Sequence, residues 1–248
     1  MKISQIEPEK RYDKKKFTSY GIQGFGEKND YPQRVHELVG ASVTGSSCLR
    51  IYQKFIQGKG FKDKAISQLR ANERESLDSI LENIAADYAE HGGFAIHVNY
   101  NANHQIVDIH HVPVEMVRLG LPNDQNRITT VAIHSDWGKR NTDIKSFNQK
   151  DIVTIDLYNP DPAVIDAQVA AAGGWDKWNG QILYYSNKGA GSYALPIYDS
   201  ALVDMNTEEA VSDITNRNAA HGFLPAAMVV EIKGRSNYEP DEDENKEG

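Results

Sequence analysis

The sequence predicts an α+β protein, in which several helices and a mostly antiparallel β-sheet occupy separate stretches of the chain. Two observations support this prediction. Apolar residues recur at helical spacing before residue 92 and again after residue 195, whereas they alternate with polar residues in several stretches between residues 94 and 185. A chain of 248 residues can bury a substantial core, and its 40% hydrophobic and 25% charged residues are ordinary for a globular protein.

The first helix is predicted to begin at residues 29–32 (Asn-Asp-Tyr-Pro), where Asn or Asp can cap a helix and proline is tolerated. Helical spacing continues to residues 58–60 (Gly-Lys-Gly), which end the helix. The middle of this helix is rich in small residues, including Gly40 and Gly45. A glycine weakens a helix by about 1 kcal/mol, so we expect either a bend or a close partner here. That partner can belong to the same subunit or to a neighbouring one.

A second helix is predicted for residues 72–91, because their apolar side chains form one stripe and two glycines follow. Alternation in residues 94–100 and 106–110, with turn residues between them, predicts a β-hairpin. Further strands are expected at residues 116–121, 128–134, 152–157, 182–185 and 223–232. Further helices are expected at residues 164–172 and 195–221.

The distribution of charge predicts mobile ends around a folded body. Lys14, Lys15 and Lys16 belong to a basic cluster near the start, and acidic residues crowd the last ten positions. We therefore expect a flexible N-terminal arm (residues 1–28), a body (residues 29–234) and an acidic tail (residues 235–248). The three lysines are candidates for a contact with a neighbouring subunit or nucleic acid.

The overall composition excludes several classes of protein. The net charge of −8 argues against a surface that grips nucleic acid, because surfaces that bind phosphates are basic. No apolar run is long enough for a membrane-spanning helix, and the N-terminus lacks the apolar segment of a secretory signal. Cys48 is the single cysteine, so no internal disulfide can form and a reducing compartment is expected. We expect Cys48 to be a small buried thiol.

Three tryptophans, Trp137, Trp175 and Trp178, fall in the loop-rich region. Aromatic side chains exposed on loops are frequent at binding surfaces, so these residues are candidate interface positions together with Gly40 and Gly45. Local packing within one subunit is the alternative for each of them.

Five of the eight histidines are close in sequence: His91, His97, His104, His110 and His111. They lack the spacing of a known zinc motif such as H-E-x-x-H, so structural or surface roles are favoured over a metal site. We expect no catalytic residue, no cofactor and no enzymatic activity. The alternative is a small metal-dependent hydrolase that uses the region His91–His111 with Asp87, Glu90 or Asp108. A plain adaptor that binds one partner is a third possibility.

The order and spacing of four segments resemble a tailed-bacteriophage portal protein. The segments are residues 29–61, from Asn-Asp-Tyr-Pro to Ile-Gln-Gly-Lys-Gly-Phe; residues 91–96, His-Gly-Gly-Phe-Ala-Ile; residues 108–118, ending in Pro-Val-Glu-Met-Val-Arg; and residues 193–227, where Tyr-Ala-Leu-Pro enters a helix that ends in Asn-Ala-Ala-His-Gly-Phe-Leu-Pro. Together they span roughly residues 29–234.

The resemblance implies a fold like the wing and body of a portal subunit. Portal subunits form a ring, usually of twelve copies, at one capsid vertex, and DNA passes through the ring during packaging and ejection. The implied partners are further copies of the chain, the terminase, the major capsid protein and a head–tail adaptor, with no sequence-specific DNA binding. The implied location is the virion, after assembly in the host bacterial cytoplasm. Portals continue into a stem, clip and crown, so the resemblance implies that this chain stops before them.

Overall fold

The computed structural model describes residues 16–17, 21–26, 28–137, 151–189 and 192–220. The helices are α1 (Tyr31–Ala41), α2 (Val43–Gln57), α3 (Lys64–Ser67), α4 (Leu77–His91), α5 (Pro162–Ala172) and α6 (Leu202–Ala220). The strands are β1 (Lys16–Phe17), β2 (Ile22–Gln23), β3 (Gly93–Tyr100), β4 (Ile106–Val112), β5 (Val117–Leu119), β6 (Thr130–Ile133), β7 (Val153–Leu157) and β8 (Gln181–Ser186). These elements confirm the predicted α+β class.

The chain divides into two compact units, residues 1–211 and residues 212–248. Within the second unit, the structure describes the C-terminal part of α6, where Arg217 forms an ion pair with Asp213 one turn earlier. The sites discussed below all belong to the first unit. None of the described helices is both long and apolar enough to cross a membrane.

Six strands form one sheet in the order β4-β3-β8-β7-β6-β5. The predicted hairpin pairs β3 with β4, and β5, β6 and β7 form an antiparallel meander. Strand β8 lies between these two groups, antiparallel to β3 and parallel to β7. A parallel neighbour requires a crossover connection, which α5 supplies between β7 and β8. The sheet is therefore mostly antiparallel, as predicted.

The predicted first helix is two helices, because the chain breaks at Ser42. The backbone of Ser42 is extended (φ −87°, ψ 118°). Its hydroxyl oxygen accepts a hydrogen bond from the backbone N–H of Gly45 at 2.9 Å and so caps α2. Of the two alternatives expected for the small-residue segment, a bend or a close partner, the bend is present here as a capped break.

Helix α4 begins at Leu77, later than predicted, because residues 72–75 form a turn. The side-chain oxygen of Asn72 accepts two backbone hydrogen bonds within this turn, each at 2.9 Å. The helix ends at Gly92, whose φ of 76° favours glycine. A Cβ at this position would lie 2.2 Å from the carbonyl oxygen of Leu195, so glycine is required there for space as well.

The two larger of three apolar clusters among the described residues hold the first unit together. One joins α1, the segment before it and the beginning of α6, and consists of Phe25, Tyr31, Val35, Leu38, Val39, Leu195 and Leu202. The other covers one face of the sheet and consists of Ala95, Val117, Leu119, Val131, Ile155 and Ile182. Helix α4 packs against both α2 and β3, so it connects the helical part to the sheet.

Residues 21–26 belong to the body, which corrects the predicted boundary at residue 29. Ile22 and Phe25 are buried. The side-chain amide of Gln23 donates a hydrogen bond to the carbonyl oxygen of Gly120 at 2.9 Å. Apolar packing and backbone pairing thus fix a segment whose glycines favour irregular structure.

Several predictions fall outside the described residues. They concern Lys14 and Lys15, the side chain of Lys16, the strand at residues 223–232 and the acidic tail at residues 235–248.

Candidate functional sites

Arg118 of β5 is fully buried. A guanidinium group has five N–H donors, and each of them has an acceptor here. Nη1 donates to the carbonyl oxygens of Glu115 (2.9 Å) and Val117 (2.8 Å). Nη2 donates to the carbonyl oxygen of Asn29 (2.8 Å) and to Oε1 of Gln33 (3.0 Å), and Nε donates to Oδ1 of Asn29. Arg118 therefore fixes the start of α1 to the sheet.

Two aromatic rings enclose the Arg118 guanidinium. Its central carbon lies 5.8 Å from the ring centre of Phe25 and 5.5 Å from that of Trp137. Burial lowers the pKa of Arg118 to about 10, so the side chain stays charged at neutral pH. The sequence signal for this site is a charged residue between Val117 and Leu119 in a strand, and sequence reasoning assigned it no role.

Trp137 is buried, with 2% of its surface exposed. Its indole N–H donates to the carbonyl oxygen of Met116 at 2.7 Å, and its ring covers Arg118. The expectation of an exposed loop tryptophan that contacts a neighbour is therefore corrected for Trp137. The local packing that was the alternative is what the structure shows.

Trp175 and Trp178 follow α5 and are half-buried. Their rings are perpendicular, with centroids 5.6 Å apart. Trp175 lies against the ring of His104 and Trp178 against that of Tyr100, so the pair joins this loop to the β3–β4 hairpin. Their role at a subunit interface stays a prediction.

Beside them, burial raises the pKa of Asp156, and the nearby Trp178 indole N–H opposes this shift.

Gly40 and Gly45 have different surroundings. An added Cβ at Gly40 would have no atom within 4 Å, whereas one at Gly45 would lie 2.9 Å from the terminal carbon of Met205 in α6. The small size of Gly45 therefore allows Met205 of the same subunit to pack closely against α2. An interface role for Gly40 stays a prediction.

Helix α2 turns an apolar side to solvent. Val43, Ile51 and Phe55 are 73%, 69% and 86% exposed. Cys48 is also exposed, so the expected burial of this thiol is wrong. Helical spacing places these residues on one side of α2, and we call them the outer face of α2. Helical spacing alone does not show which apolar side chains find a partner within the chain, so it could not indicate that Val43 and Phe55 are exposed.

The histidines expected by the hydrolase alternative do not converge on one site. His97 and His110 are partners across β3 and β4, with ring centroids 6.3 Å apart. His104 contacts Asp166 and His111 contacts Asp87, each at 2.8 Å. These contacts are separate histidine pairs rather than one ligand set.

His91 belongs to a different group, which brings together His36 of α1, Glu90 of α4 and Glu115 of the 3₁₀ turn Val114–Met116. Nδ1 of His36 lies 2.8 Å from Oε1 of Glu90 and 3.3 Å from Oε1 of Glu115. Nε2 of His91 lies 3.6 Å from the same Glu115 oxygen and 4.0 Å from that of Glu90. Sequence spacing gave no signal for His36, because tertiary packing alone brings α1 to this group.

The group is electrostatically coupled. Burial lowers the pKa of His36, but the hydrogen bond with Glu90 and the surrounding carboxylates outweigh it, so the pKa lies above its usual value. The nearby His91 imidazole is the main cause that holds the pKa of Glu115 below its usual value. Both shifts favour a charged His36 imidazole close to a charged Glu115 carboxylate.

No protein-family model and no curated protein matches the chain. A solved structure of the virion of a native gene transfer agent particle contains a similar chain. The TM-score is 0.52 at 10% identity, over 77% of this chain and 46% of that one. The neck of the native particle, computed with C12 symmetry, contains a chain with a TM-score of 0.48 and 11% identity, over 78% of this chain and 47% of that one. The neck of the empty particle, computed with C6 symmetry, contains a chain with a TM-score of 0.46 and 10% identity, over 78% of this chain and 48% of that one.

The present chain spans about half the length of these chains. At 10% identity, the likeness to the virion chain shows that the two share a fold.

Proposed function

We propose that this chain is a structural subunit of a portal ring in a phage or phage-like particle, and that it is not an enzyme. The observation that carries the proposal is the fold shared with a chain of the gene transfer agent virion over 77% of this chain. Four sequence segments resemble portal proteins independently of that comparison. The proposed location is the capsid vertex, after assembly in the cytoplasm of the host bacterium.

Residues that carry the resemblance have structural roles in the fold, which supports the proposal. Gly92 provides the turn from α4 into β3. Arg118, the last residue of the Pro-Val-Glu-Met-Val-Arg segment, holds the start of α1 against the sheet. Residues of this kind define a fold rather than a reaction.

The outer face of α2 supports self-association. Side chains as apolar and exposed as Ile51 and Phe55 are stabilised when a partner covers them. A ring provides such a partner, because each subunit presents one surface to the copy on one side and a different surface to the copy on the other. We propose that a second copy of the chain covers this face.

The remaining partners follow from the position in a portal ring. They are the terminase, the major capsid protein and a head–tail adaptor, with DNA passing through the ring. The net charge of −8 supports passage without tight binding, because phosphate contacts would hold the DNA in place.

Immunogold labelling of purified particles tests the proposal. An antibody raised against this chain is expected to mark one vertex of each opened particle. Label spread over the whole shell, or particles that contain no such chain, would contradict the proposal. An antibody against the shell protein of the same particles provides the control for access.

A further inference from the structure

We infer that His36, Glu90 and Glu115 form a binding site for a divalent transition-metal ion such as Zn²⁺. Imidazole nitrogen and carboxylate oxygen are ligands that zinc accepts in proteins. The site is independent of the proposed ring function.

One ligand atom from each of the three side chains lies within 4.8 Å of the other two. The two separations that involve His36 are 2.8 and 3.3 Å. Ligands at about 2.0–2.1 Å from a tetrahedral zinc ion are about 3.3 Å apart. The observed spacing therefore needs only small side-chain adjustments to hold an ion.

His91 closes the group from the protein interior. Its side chain is only 4% exposed, and Nε2 lies 3.6 Å from Glu115 and 4.0 Å from Glu90. His91 is not among the three residues whose ligand atoms lie within 4.8 Å of one another, so it lies beside the ligand set rather than in it. A buried imidazole next to the Glu115 carboxylate helps to orient that ligand.

The backbone around the two carboxylates is fixed by other residues. The carbonyl oxygen of Glu115 accepts hydrogen bonds from Gln33 (2.8 Å) and Arg118 (2.9 Å), and that of Glu90 accepts one from the Tyr198 hydroxyl (2.6 Å). Such support holds ligands in place before the ion arrives. Because the ligands come from α1, α4 and the 3₁₀ turn, a bound ion would clamp these three elements together.

The simpler interpretation is a set of hydrogen-bonded ion pairs. His104 with Asp166 and His111 with Asp87 show what such pairs look like in this chain, with one histidine and one carboxylate each. The His36 group differs because one histidine lies close to two carboxylates. It therefore offers three ligands close to one another, and water can take the fourth position of a tetrahedral ion.

Metal titration of the purified chain tests the inference. After treatment with a chelator, the chain is titrated with Co²⁺, whose absorption spectrum reports tetrahedral coordination, and with Zn²⁺ by calorimetry. We expect one ion per chain and a higher Tm with Zn²⁺ than without it, because the ion binds the folded state. His36→Ala and Glu115→Gln are each expected to weaken binding by about tenfold or more.

His104→Ala is the matched control, since it removes a histidine that contacts a single carboxylate. It is expected to leave binding unchanged. His36 is 62% exposed, so its replacement leaves the core intact, and circular dichroism without metal checks this. Absence of binding by the native chain, or binding that survives both ligand variants, would overturn the inference. Neither result bears on where the chain lies in a particle.

Discussion

At the scale of single residues, Arg118 shows how a buried charge is accommodated. Its five N–H groups reach backbone and side-chain oxygens, and the rings of Phe25 and Trp137 lie on the guanidinium. Removal of such a group leaves several buried acceptors without donors. The resulting loss of stability is larger than the net stabilisation that the original hydrogen bonds provided. Arg118 is therefore a fold determinant rather than a binding residue.

We predict that Arg118→Met lowers the free energy of unfolding by about 3–5 kcal/mol, as expected when one side of a buried polar network is lost. Arg118→Lys is expected to be intermediate, because an ammonium group has fewer donors. Urea unfolding followed by tryptophan fluorescence measures the effect. Arg127→Met, at an exposed position, is the control and should change stability by less than about 0.5 kcal/mol. Equal effects of both Met variants would refute the role of Arg118.

Asp156 gives a prediction of pH dependence. Burial raises the pKa of Asp156 in the folded chain above the usual 3.8. At pH values between 3.8 and this raised pKa, the folded chain therefore binds more protons than the unfolded chain. The free energy of unfolding therefore falls as pH rises through this interval, and the carboxylate destabilises the fold at neutral pH.

Asp156→Asn is accordingly expected to stabilise the chain at pH 7, by less than about 1 kcal/mol because the carboxylate is partly hydrated. The difference from the native chain should shrink as pH falls towards the usual pKa. Denaturant unfolding at several pH values measures this trend, with exposed Asp176→Asn as the control. A constant difference at all pH values would show that ionisation is not the cause.

At the scale of elements, the break between α1 and α2 separates two glycines that look equivalent in sequence. Gly40 lies in α1 with open space around it, and Gly45 lies in the first turn of α2 against Met205 and the Ser42 cap. Gly40→Ala is expected to raise the free energy of unfolding by about 0.5–1 kcal/mol through helix propensity. Gly45→Ala is expected to lower it by about 1–3 kcal/mol through crowding. Thermal unfolding compares the two, and stabilisation by both variants would contradict the close contact at Gly45.

Local patterns predicted the strands of the six-stranded sheet and most of the helices, but not β1, β2 or α3. The β3–β4 hairpin follows from alternation on both sides of a turn, and α5 follows from its short apolar run. The parallel pairing of β7 with β8 was not predicted, since it depends on a crossover that no local pattern encodes. The delayed start of α4 reflects side-chain hydrogen bonds of Asn72, which compete with helical ones.

The candidate sites were less predictable than the elements. Tryptophan in a loop-rich region suggested exposure, but Trp137 finds a carbonyl acceptor and a guanidinium within the chain. The group around His36 combines residues from three elements, and 54 positions separate His36 from Glu90. A single sequence cannot show such a group until the packing of those elements is known.

At the scale of the whole molecule, the outer face of α2 makes a prediction about assembly. Phe55 is 86% exposed, so we expect the isolated Phe55→Asp chain to fold normally. We also expect its incorporation into particles to fall by about tenfold or more, because the new charge would be buried at the proposed contact. Quantitative blotting of purified particles measures incorporation. Val107→Asp, which adds the same charge at a position that is 51% exposed, is the matched control.

The single cysteine, Cys48, offers a second readout on the same face. A maleimide reagent should label it rapidly in the isolated chain and slowly in particles, if a second copy covers α2. Unchanged labelling together with normal incorporation of Phe55→Asp would remove this face from the proposed interface.

The central position of β8 has a consequence for synthesis on the ribosome. The β3–β4 hairpin and the β5–β7 meander both emerge before Gln181, so the edges of β3 and β7 that later pair with β8 are open in the nascent chain, and each is a site for wrong pairing. Addition of β8 satisfies both edges at once. We therefore expect pulsed hydrogen exchange during refolding to protect β8 amides after those of the hairpin, because their partners are distant in sequence; simultaneous protection would speak against this order.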